Sequence, residues 1–237
     1  MKSYLIHLIR HGMTLANTEG AYIGTSDIPL SPEGIRKLQD LKRNFDYPQA
    51  QAYFSSPLSR CVDTLRILYP QASPVLVSGL AECSFGEWDG KKVSELQKDE
   101  RFRTWIAAGG VTAPPGGESG AEFQQRCCGA FSRLIEGLMR SGTTSAVVVT
   151  HGGVIMSLLA AFGLPRANFY DWMTANGHGY TLRITPSLWM SGQVFEVIRM
   201  LPDPGEAEKD GDQKLVIDLA REAADRAYGK KDPDGEK

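Results

Sequence analysis

Two basic side chains of different chemistry stand together at Arg10-His11, where the apolar run from Tyr4 to Ile9 ends and a glycine follows. An unprotonated imidazole is a nucleophile and a proton acceptor near neutral pH. A guanidinium presents a rigid fork of N–H donors that matches the oxygens of a phosphate or a carboxylate. Such a pair could bind an anion and attack it, but an isolated motif is weak support for a function.

Two further segments supply basic side chains in comparable positions. Arg60 follows Ser56-Pro57, which we expect to open a helix after the strand candidate Ala52 to Ser55. His151 follows Ala146 to Thr150, a continuous apolar and β-branched run typical of a parallel strand covered on both faces. Ligands of open α/β sheets bind outside the carboxyl ends of the strands. The sequence therefore predicts that these basic groups converge at one edge of a sheet.

Backbone amides at the same edge would favour a negatively charged ligand. The helices expected to open at Ser56-Pro57 and Gly152-Gly153 would direct unpaired N–H groups and a positive dipole end towards it. The formal net charge is only −2, so a cationic site must be a local concentration of charge. Two arginines, each able to fork onto one anion, make a phosphoryl group the predicted ligand.

The remaining elements indicate the fold class. Ser31-Pro32 is typical of a helix cap and first residue, and Ser119 with Glu122 forms a capping-box pattern before a helix that should run to about Met139. The helix from Gly152 should end near Gly163. We expect two closing strands, separated by the turn-rich segment PSLWMSGQ, at Tyr180 to Ile184 and Val194 to Ile198. This alternation predicts a three-layer α/β/α domain with a mostly parallel central sheet.

The predicted domain covers residues 1–200, and two regions interrupt its regular pattern. Residues 83–118 lack a clear period and are interpreted as an inserted cap segment over the site. Residues 201–237 form a charged tail with one helix candidate, Asp212 to Tyr228. The sequence leaves open whether that helix makes a homodimer contact. The apolar residues that could form such a contact are Leu215, Leu219 and Ala223.

Composition limits the classes of partner. A chain of 237 residues with 42% hydrophobic and 23% charged residues is ordinary for a soluble globular protein. The balanced charge gives no reason to expect nucleic acid, and no stretch approaches the roughly 20 apolar residues of a membrane span. Basic residues interrupt the N-terminal apolar run before a signal peptide could form. Four cysteines without a CxxC pair argue against a metal site and favour reduced thiols in the cytoplasm.

Several motifs follow one another along the chain. They are Arg10-His-Gly12 with Thr14 and Asn17, Ser56-Pro-Leu-Ser-Arg60, Glu82 with Phe85-Gly-Glu-Trp-Asp-Gly90, Pro115-Gly-Gly-Glu-Ser119 and Thr150-His-Gly-Gly153. Over roughly residues 4–200, this ordered set resembles the histidine phosphatase superfamily in its phosphoglycerate-mutase-like branch. The resemblance implies the histidine phosphatase fold, a small phosphate ester as substrate, and neither a cofactor nor a metal.

The same resemblance implies a role for each matching residue. His11 would accept the phosphoryl group as a phosphohistidine, and Glu82 would protonate the leaving oxygen. Glu87 and Asp89 stay open as alternative proton donors. Met13 departs from the glutamate that many members carry after the RHG motif, which affects local packing rather than catalysis. The residues implied to bind the phosphate oxygens are Arg10, Asn17, Arg60, His151 and Gly152.

Three functions remain to be compared. The FGEWDG motif resembles α-ribazole phosphatases and broad-specificity phosphatases, and the cap segment lacks the basic run of the mutases, which favours hydrolysis. The substrate stays open between α-ribazole phosphate, phosphoglycerates, sugar phosphates and nucleotides. A cofactor-dependent phosphoglycerate mutase is the first alternative, and a non-catalytic phosphate-binding adaptor is the second. Aromatic residues expected at the substrate rim are Tyr22, Phe85, Trp88 and Trp105. His7 and His178 are interpreted as packing and turn residues without a role in the reaction.

Overall fold

A computed structural model of the chain describes residues 2–108, 110 and 112–202. The seven strands are β1 (Tyr4–Arg10), β2 (Ala52–Ser55), β3 (Val75–Leu76), β4 (Ser145–Thr150), β5 (Gly163–Leu164), β6 (Gly179–Ile184) and β7 (Phe195–Leu201). The α-helices are α1 (Leu15–Glu19), α2 (Pro32–Asn44), α3 (Ser59–Leu68), α4 (Val93–Leu96), α5 (Glu100–Ala107), α6 (Gly120–Ser141), α7 (Gly152–Phe162) and α8 (Pro186–Gly192). Short 3₁₀ turns cover Ser78–Leu80, Gly86–Trp88 and Phe169–Trp172.

The strands form one mixed sheet in the order β3-β2-β4-β1-β6-β7-β5. Four strand pairs are parallel, and the two pairs that involve β6 are antiparallel. This agrees with the predicted three-layer α/β fold and its mostly parallel sheet. In the central pair, Arg10 lies opposite Thr150. The residues that follow, His11 and His151, therefore leave the sheet side by side.

Both faces of the sheet are covered, as the apolar strand runs predict. Ile6 and Leu8 of β1 pack into a core formed with α6 and α7. Ile9, Val147 and Val149 point to the opposite face and pack with residues of α2 and α3. Because side chains alternate along a strand, this double burial requires an almost continuous apolar run. The sheet is therefore rigid where the basic residues leave it.

Two predicted helix starts are confirmed by their capping contacts. The Ser31 hydroxyl accepts a hydrogen bond from the Gly34 N–H at 2.9 Å, and Pro32 is the first residue of α2. Ser119 caps α6 and exchanges both capping-box hydrogen bonds with Glu122. Each cap satisfies N–H groups that have no partner inside the helix.

Two local predictions need correction. The segment predicted as a turn between the last two strands contains α8, with Pro186 in its first turn; proline is well accommodated there because that position needs no N–H. Helix α3 begins at Ser59 rather than at Ser56-Pro57, because the Ser59 N–H is bound by the Asp27 carboxylate at 2.7 Å. The cap therefore comes from a distant loop.

The cap segment and Tyr22 form a small separate core. Trp88, Leu96 and Phe102 of the segment are buried with Tyr22, and other apolar residues of the segment pack around them. The tail helix predicted at Asp212 to Tyr228 lies outside the described residues. Within the described part of the chain, none of the helices combines the length and hydropathy required to cross a bilayer.

Candidate active site

His11 is held at the end of β1 with one ring nitrogen engaged. Its backbone N–H donates to Thr150 O at 2.9 Å, and its side chain is 5% exposed. Nδ1 lies 2.7 Å from the Gly12 carbonyl oxygen, which can only accept a hydrogen bond. The ring therefore carries its proton on Nδ1 and presents Nε2 as a lone-pair donor. This contact suits a nucleophilic imidazole, which needs one unprotonated ring nitrogen.

The surroundings keep the His11 ring neutral. Burial lowers its pKa well below the ordinary value of 6.5, and the charges of Arg10 and Arg60 lower it further. The Gly12 carbonyl acts in the opposite direction, but it is the smallest of these influences. An imidazole in this setting is available as a nucleophile over the physiological pH range.

His151 lies against His11 at the end of β4. The ring centroids are 5.2 Å apart, and the His151 side chain is fully buried. Its Nε2 lies 2.8 Å from the Ser56 hydroxyl, while Cys61 Sγ lies 3.4 Å from the same nitrogen. Burial is the largest influence lowering the pKa of His151, followed by the charge of His11. Ser56 was assigned only to a helix start by the sequence, and the contact with His151 is an added role.

The Arg10 guanidinium is fixed beside the start of α7. Nη1 donates to Thr174 O at 2.6 Å. A Cβ placed on Gly152 would lie 3.3 to 3.7 Å from atoms of the Arg10 side chain, so the guanidinium packs directly on this glycine. The structure thus brings Arg10, His11, His151 and Gly152 together, as the sequence predicts.

Arg60 is fully buried one residue into α3. Its Nη1 and Nη2 donate to Ser26 O and Gly24 O, each at 2.7 Å. Its Nε is buried and has no hydrogen-bond partner among the described residues. A buried N–H without a partner is costly, so this donor favours an anion beside it.

Glu82 is held by two backbone amides of different segments. Oε1 accepts from the Cys83 N–H at 3.0 Å, and Oε2 accepts from the Gly153 N–H at 3.1 Å. Burial raises the pKa of Glu82 above its ordinary value of 4.5, although the amides and both arginines act to lower it. A carboxyl group with a raised pKa beside a phosphate site suits general acid chemistry.

The two alternative acids point elsewhere. Glu87 is exposed and forms an ion pair with Arg101 at 3.1 Å. Asp89 accepts hydrogen bonds from the Gly24 and Ser26 amides. The geometry therefore favours Glu82 as the proton donor.

Asn17 is exposed and mainly caps α1. Its Oδ1 lies 3.0 Å from both the backbone nitrogen and the hydroxyl of Thr14. These bonds occupy the amide oxygen and leave the NH₂ group to act as the donor. The predicted role of Asn17 in binding phosphate stays a prediction.

The four aromatic residues expected at the substrate rim do not share one environment. Tyr22 and Trp88 are 6% and 1% exposed and pack together in the small core beneath the cap segment, so placing them at a rim was wrong. They are buried because the apolar side chains of the cap segment pack against Tyr22. Phe85 and Trp105 are partly exposed around that core, and a rim role for them stays a prediction.

Beside Glu82 lies an open cavity of about 530 Å³. Residues from both sides of Glu82 line it, together with Thr25, the Gly116–Glu118 turn and Arg126. Arg126 forms an ion pair with Glu118 at 2.7 Å and donates to the Glu82 carbonyl oxygen at 3.2 Å. No group of three or more His, Cys, Asp or Glu side chains in the described part of the chain is arranged to hold a metal ion.

Comparisons with known proteins identify the family of the chain. The sequence model of the histidine phosphatase superfamily (branch 1) matches residues 6–194. The chain is 30% identical over 175 residues to the adenosylcobalamin/alpha-ribazole phosphatase of Escherichia coli (strain K12), covering 72% of this chain and 85% of that protein. It is also 30% identical over 179 residues to a 2,3-bisphosphoglycerate-dependent phosphoglycerate mutase of Rhizobium etli, covering 69% and 81%.

A solved structure supports the same assignment. The crystal structure of the alpha-ribazole phosphatase from Shigella flexneri superposes with a TM-score of 0.69 at 27% identity, covering 84% of this chain and 96% of that one. The family match, the relatives and the shared architecture agree on the family and the fold. The chain belongs to the histidine phosphatase superfamily (branch 1).

Proposed function

We propose that this protein is a phosphatase that hydrolyses small phosphate monoesters through a phosphohistidine formed on His11. The observation that carries the proposal is the 2.7 Å contact between His11 Nδ1 and the Gly12 carbonyl oxygen, which leaves Nε2 unprotonated. The two arginines whose charges lower the pKa of His11 supply the positive charge that a phosphoryl group needs.

The first step transfers the phosphoryl group to the protein. His11 Nε2 attacks phosphorus, the P–O ester bond breaks, and its electron pair goes to the leaving alkoxide. Glu82 delivers its proton to that oxygen, which matters because an alkoxide is a poor leaving group. Arg10, Arg60 and His151 hold the phosphoryl oxygens during the transfer.

The second step returns the protein to its starting state. The Glu82 carboxylate, now ionised, removes a proton from water, and the hydroxide attacks phosphorus. The P–N bond breaks, its electron pair returns to His11 Nε2, and inorganic phosphate leaves. Two guanidiniums spread the positive charge over the phosphoryl oxygens, so the proposed reaction uses no metal.

The cavity beside Glu82 would receive the alcohol part of the substrate. Its volume of about 530 Å³ and its lining of hydroxyl groups, backbone amides and the Glu118–Arg126 pair suit a hydroxylated molecule of moderate size. The names of the relatives make α-ribazole phosphate, a sugar phosphate or a glycerate phosphate the candidates to test.

Hydrolysis is favoured over the mutase reaction by the charges of the cap segment. Arg101 pairs with Asp99 and Glu87, and Lys92 pairs with Glu19. These two basic side chains are therefore engaged by carboxylates of the protein, which leaves Lys91, Lys98 and Arg103 as the other basic groups of the segment. A mutase would need basic groups directed at the second, anionic end of its substrate.

The test is phosphate release from a panel of monoesters with a chelator present, including α-ribazole phosphate and 3-phosphoglycerate, and with His11→Ala as the control. We expect chelator-resistant release by the wild type and none by the variant. Interconversion of monophosphoglycerates after priming with a bisphosphate, without release, would support the mutase alternative instead. A single burst of phosphate without turnover would support the adaptor alternative.

A further inference from the structure

The three-residue loop from Gly24 to Ser26 lies between two side chains of opposite charge. On one edge, the carbonyl oxygens of Gly24 and Ser26 accept hydrogen bonds from Arg60, both at 2.7 Å. On the other edge, the N–H groups of the same two residues donate to Asp89, at 2.8 Å to Oδ1 and 2.9 Å to Oδ2. The Thr25 hydroxyl lies 3.4 Å from Oδ2. The loop therefore connects a carboxylate of the cap segment to a guanidinium of the site.

We propose that Asp89 is a positioning residue that sets the location of the Arg60 guanidinium by fixing the Gly24–Ser26 loop. This inference rests on the proposed function, because it concerns how the phosphate-binding arginine is held. A carboxylate with both oxygens engaged by backbone N–H groups defines the position and the orientation of the loop. The loop carbonyls then define where the planar fork of Arg60 can lie.

Packing of the loop gives this arrangement little freedom. A Cβ on Gly24 would overlap the Cys83 carbonyl oxygen, so the loop backbone lies in direct contact with the residue after Glu82. At its far end, the Asp27 carboxylate accepts the Ser59 N–H at 2.7 Å, next to Arg60 in the chain. Displacing the loop would therefore move the guanidinium relative to both the acid and the start of α3.

The charge of Asp89 favours the same arrangement of Arg60 as its hydrogen bonds to the loop. Burial lowers the pKa of Arg60, and the nearby carboxylates, Asp89 among them, raise it. Asp89 thus supports the charged form of a fully buried arginine as well as its position. This role differs from that of a proton donor, because the Asp89 carboxylate faces the amides of the Gly24–Ser26 loop.

The test compares the affinity for inorganic phosphate, measured by calorimetry, in the wild type, Asp89→Asn, Arg60→Lys and the double variant. Asparagine keeps the shape but loses the charge and turns an NH₂ group towards one loop amide. We expect Asp89→Asn to weaken phosphate binding about 10- to 100-fold, the loss typical when a residue that orients a ligand-binding group is removed. In the Arg60→Lys background the same change should have no further effect, within about twofold.

The control is Glu95→Gln, which removes an exposed carboxylate of the same segment; its phosphate affinity should equal that of the wild type. Fully additive losses in the double variant, or wild-type affinity in Asp89→Asn, would overturn the inference. The proposed function is tested by a separate measurement, the release of phosphate from substrate by the wild type. Turnover by the wild type together with unchanged phosphate binding in Asp89→Asn would contradict only the role of Asp89 and not the proposed function.

A folding defect is handled by a second variant. Asp89→Glu keeps the charge and both acceptor oxygens, so it should fold. Hydrogen exchange at the Gly24 and Ser26 amides measures how well the loop is held in this variant. We expect phosphate affinity to recover in proportion as the exchange rate of these amides returns to the wild-type value. If protection of these amides is lost while phosphate affinity stays at the wild-type value, the loop does not position Arg60 and the inference is wrong.

Discussion

Glu82 and Gly153 are in direct contact: the Gly153 N–H donates to Oε2 at 3.1 Å, and a Cβ on residue 153 would overlap Oε1. The glycine after Gly152 therefore serves two purposes. It leaves room for the carboxyl group and holds it with an amide at the start of α7. The proton donor of the proposed reaction is thus positioned by the same turn that carries His151.

Replacing Gly153 with alanine should displace the Glu82 carboxyl group. We expect a loss of activity concentrated on alkyl phosphate esters, because these need a proton on the leaving oxygen. Stability should change little, because the helix propensity gained with alanine, at most about 1 kcal/mol, is offset by the displacement of the Glu82 carboxyl group. Steady-state kinetics and thermal unfolding would measure the two effects.

The matched control for this substitution is Gly137→Ala in α6, where an added Cβ meets no atom within 4 Å. Its activity should equal that of the wild type. If Gly153→Ala slowed aryl and alkyl esters equally, displacement of the acid would not be the cause.

Removing the acidity of Glu82 tests its role directly. Glu82→Gln should slow alkyl esters about 100- to 10,000-fold, the range typical of general acid catalysis. Activated aryl esters should be affected much less, because a phenolate leaves without protonation. The measurement is kcat/KM across a leaving-group series, and equal losses on both classes of ester would exclude the acid role.

The pH dependence of kcat/KM should distinguish the titration of Glu82 from that of His11. Burial lowers the pKa of His11 well below 6.5, so its neutral form persists as the pH falls through that value. Burial raises the pKa of Glu82 above 4.5, and the proton-donating form is lost as the pH rises through the raised value. For alkyl esters, kcat/KM should therefore decline on the alkaline side, and the limb should vanish in Glu82→Gln. A persistent limb in that variant would assign the titration to another group.

His7 should make the fold sensitive to acid. It is 4% exposed in β1, and its Nδ1 lies 3.0 Å from the Thr181 hydroxyl. Burial, with a smaller contribution from the charge of Arg199, lowers its pKa to about 4. The unfolded chain takes up a proton near pH 6.5 but the folded chain resists it, so stability is lost as the pH falls from 6.5 towards 4.

The expected loss from this group is about 3 kcal/mol across that interval. Denaturant unfolding at several pH values would measure it, with His7→Gln for comparison. The variant should have lower stability at neutral pH but a shallower decline in acid. Parallel curves for the two proteins would show that another group is responsible.

Local sequence signals predicted five of the seven strands and the four longest helices of the described residues, α2, α3, α6 and α7. The strand runs at β1 and β4 and the caps at Ser31 and Ser119 depend on neighbouring residues only, so the sequence carries them fully. The start of α3 was misplaced because its capping group, Asp27, is 32 residues away along the chain. Helix α8 was not predicted because its proline, serine and glycine residues are typical of a turn. The structure shows that Trp189 of this helix is buried.

The same distinction applies to the site. Arg10 ends β1, and His11 and His151 follow β1 and β4, which pair in parallel, so their convergence could be predicted once these two strands are neighbours. The environment of Arg60 could not, because its carbonyl partners at Gly24 and Ser26 belong to a loop without regular structure. The burial of Tyr22 and Trp88 was also beyond the sequence, since aromatic residues suit a substrate rim and a small core equally well.

The most direct test of the central claim is to trap the phosphorylated protein. Glu82→Gln should slow the attack of water more than the transfer from an activated aryl phosphate, so the intermediate should accumulate in that variant. Rapid quenching in alkali, which preserves phosphohistidine, followed by mass spectrometry of peptides should locate the phosphate on His11. Turnover with no phosphate on His11, or with phosphate on His151 instead, would contradict the proposed mechanism.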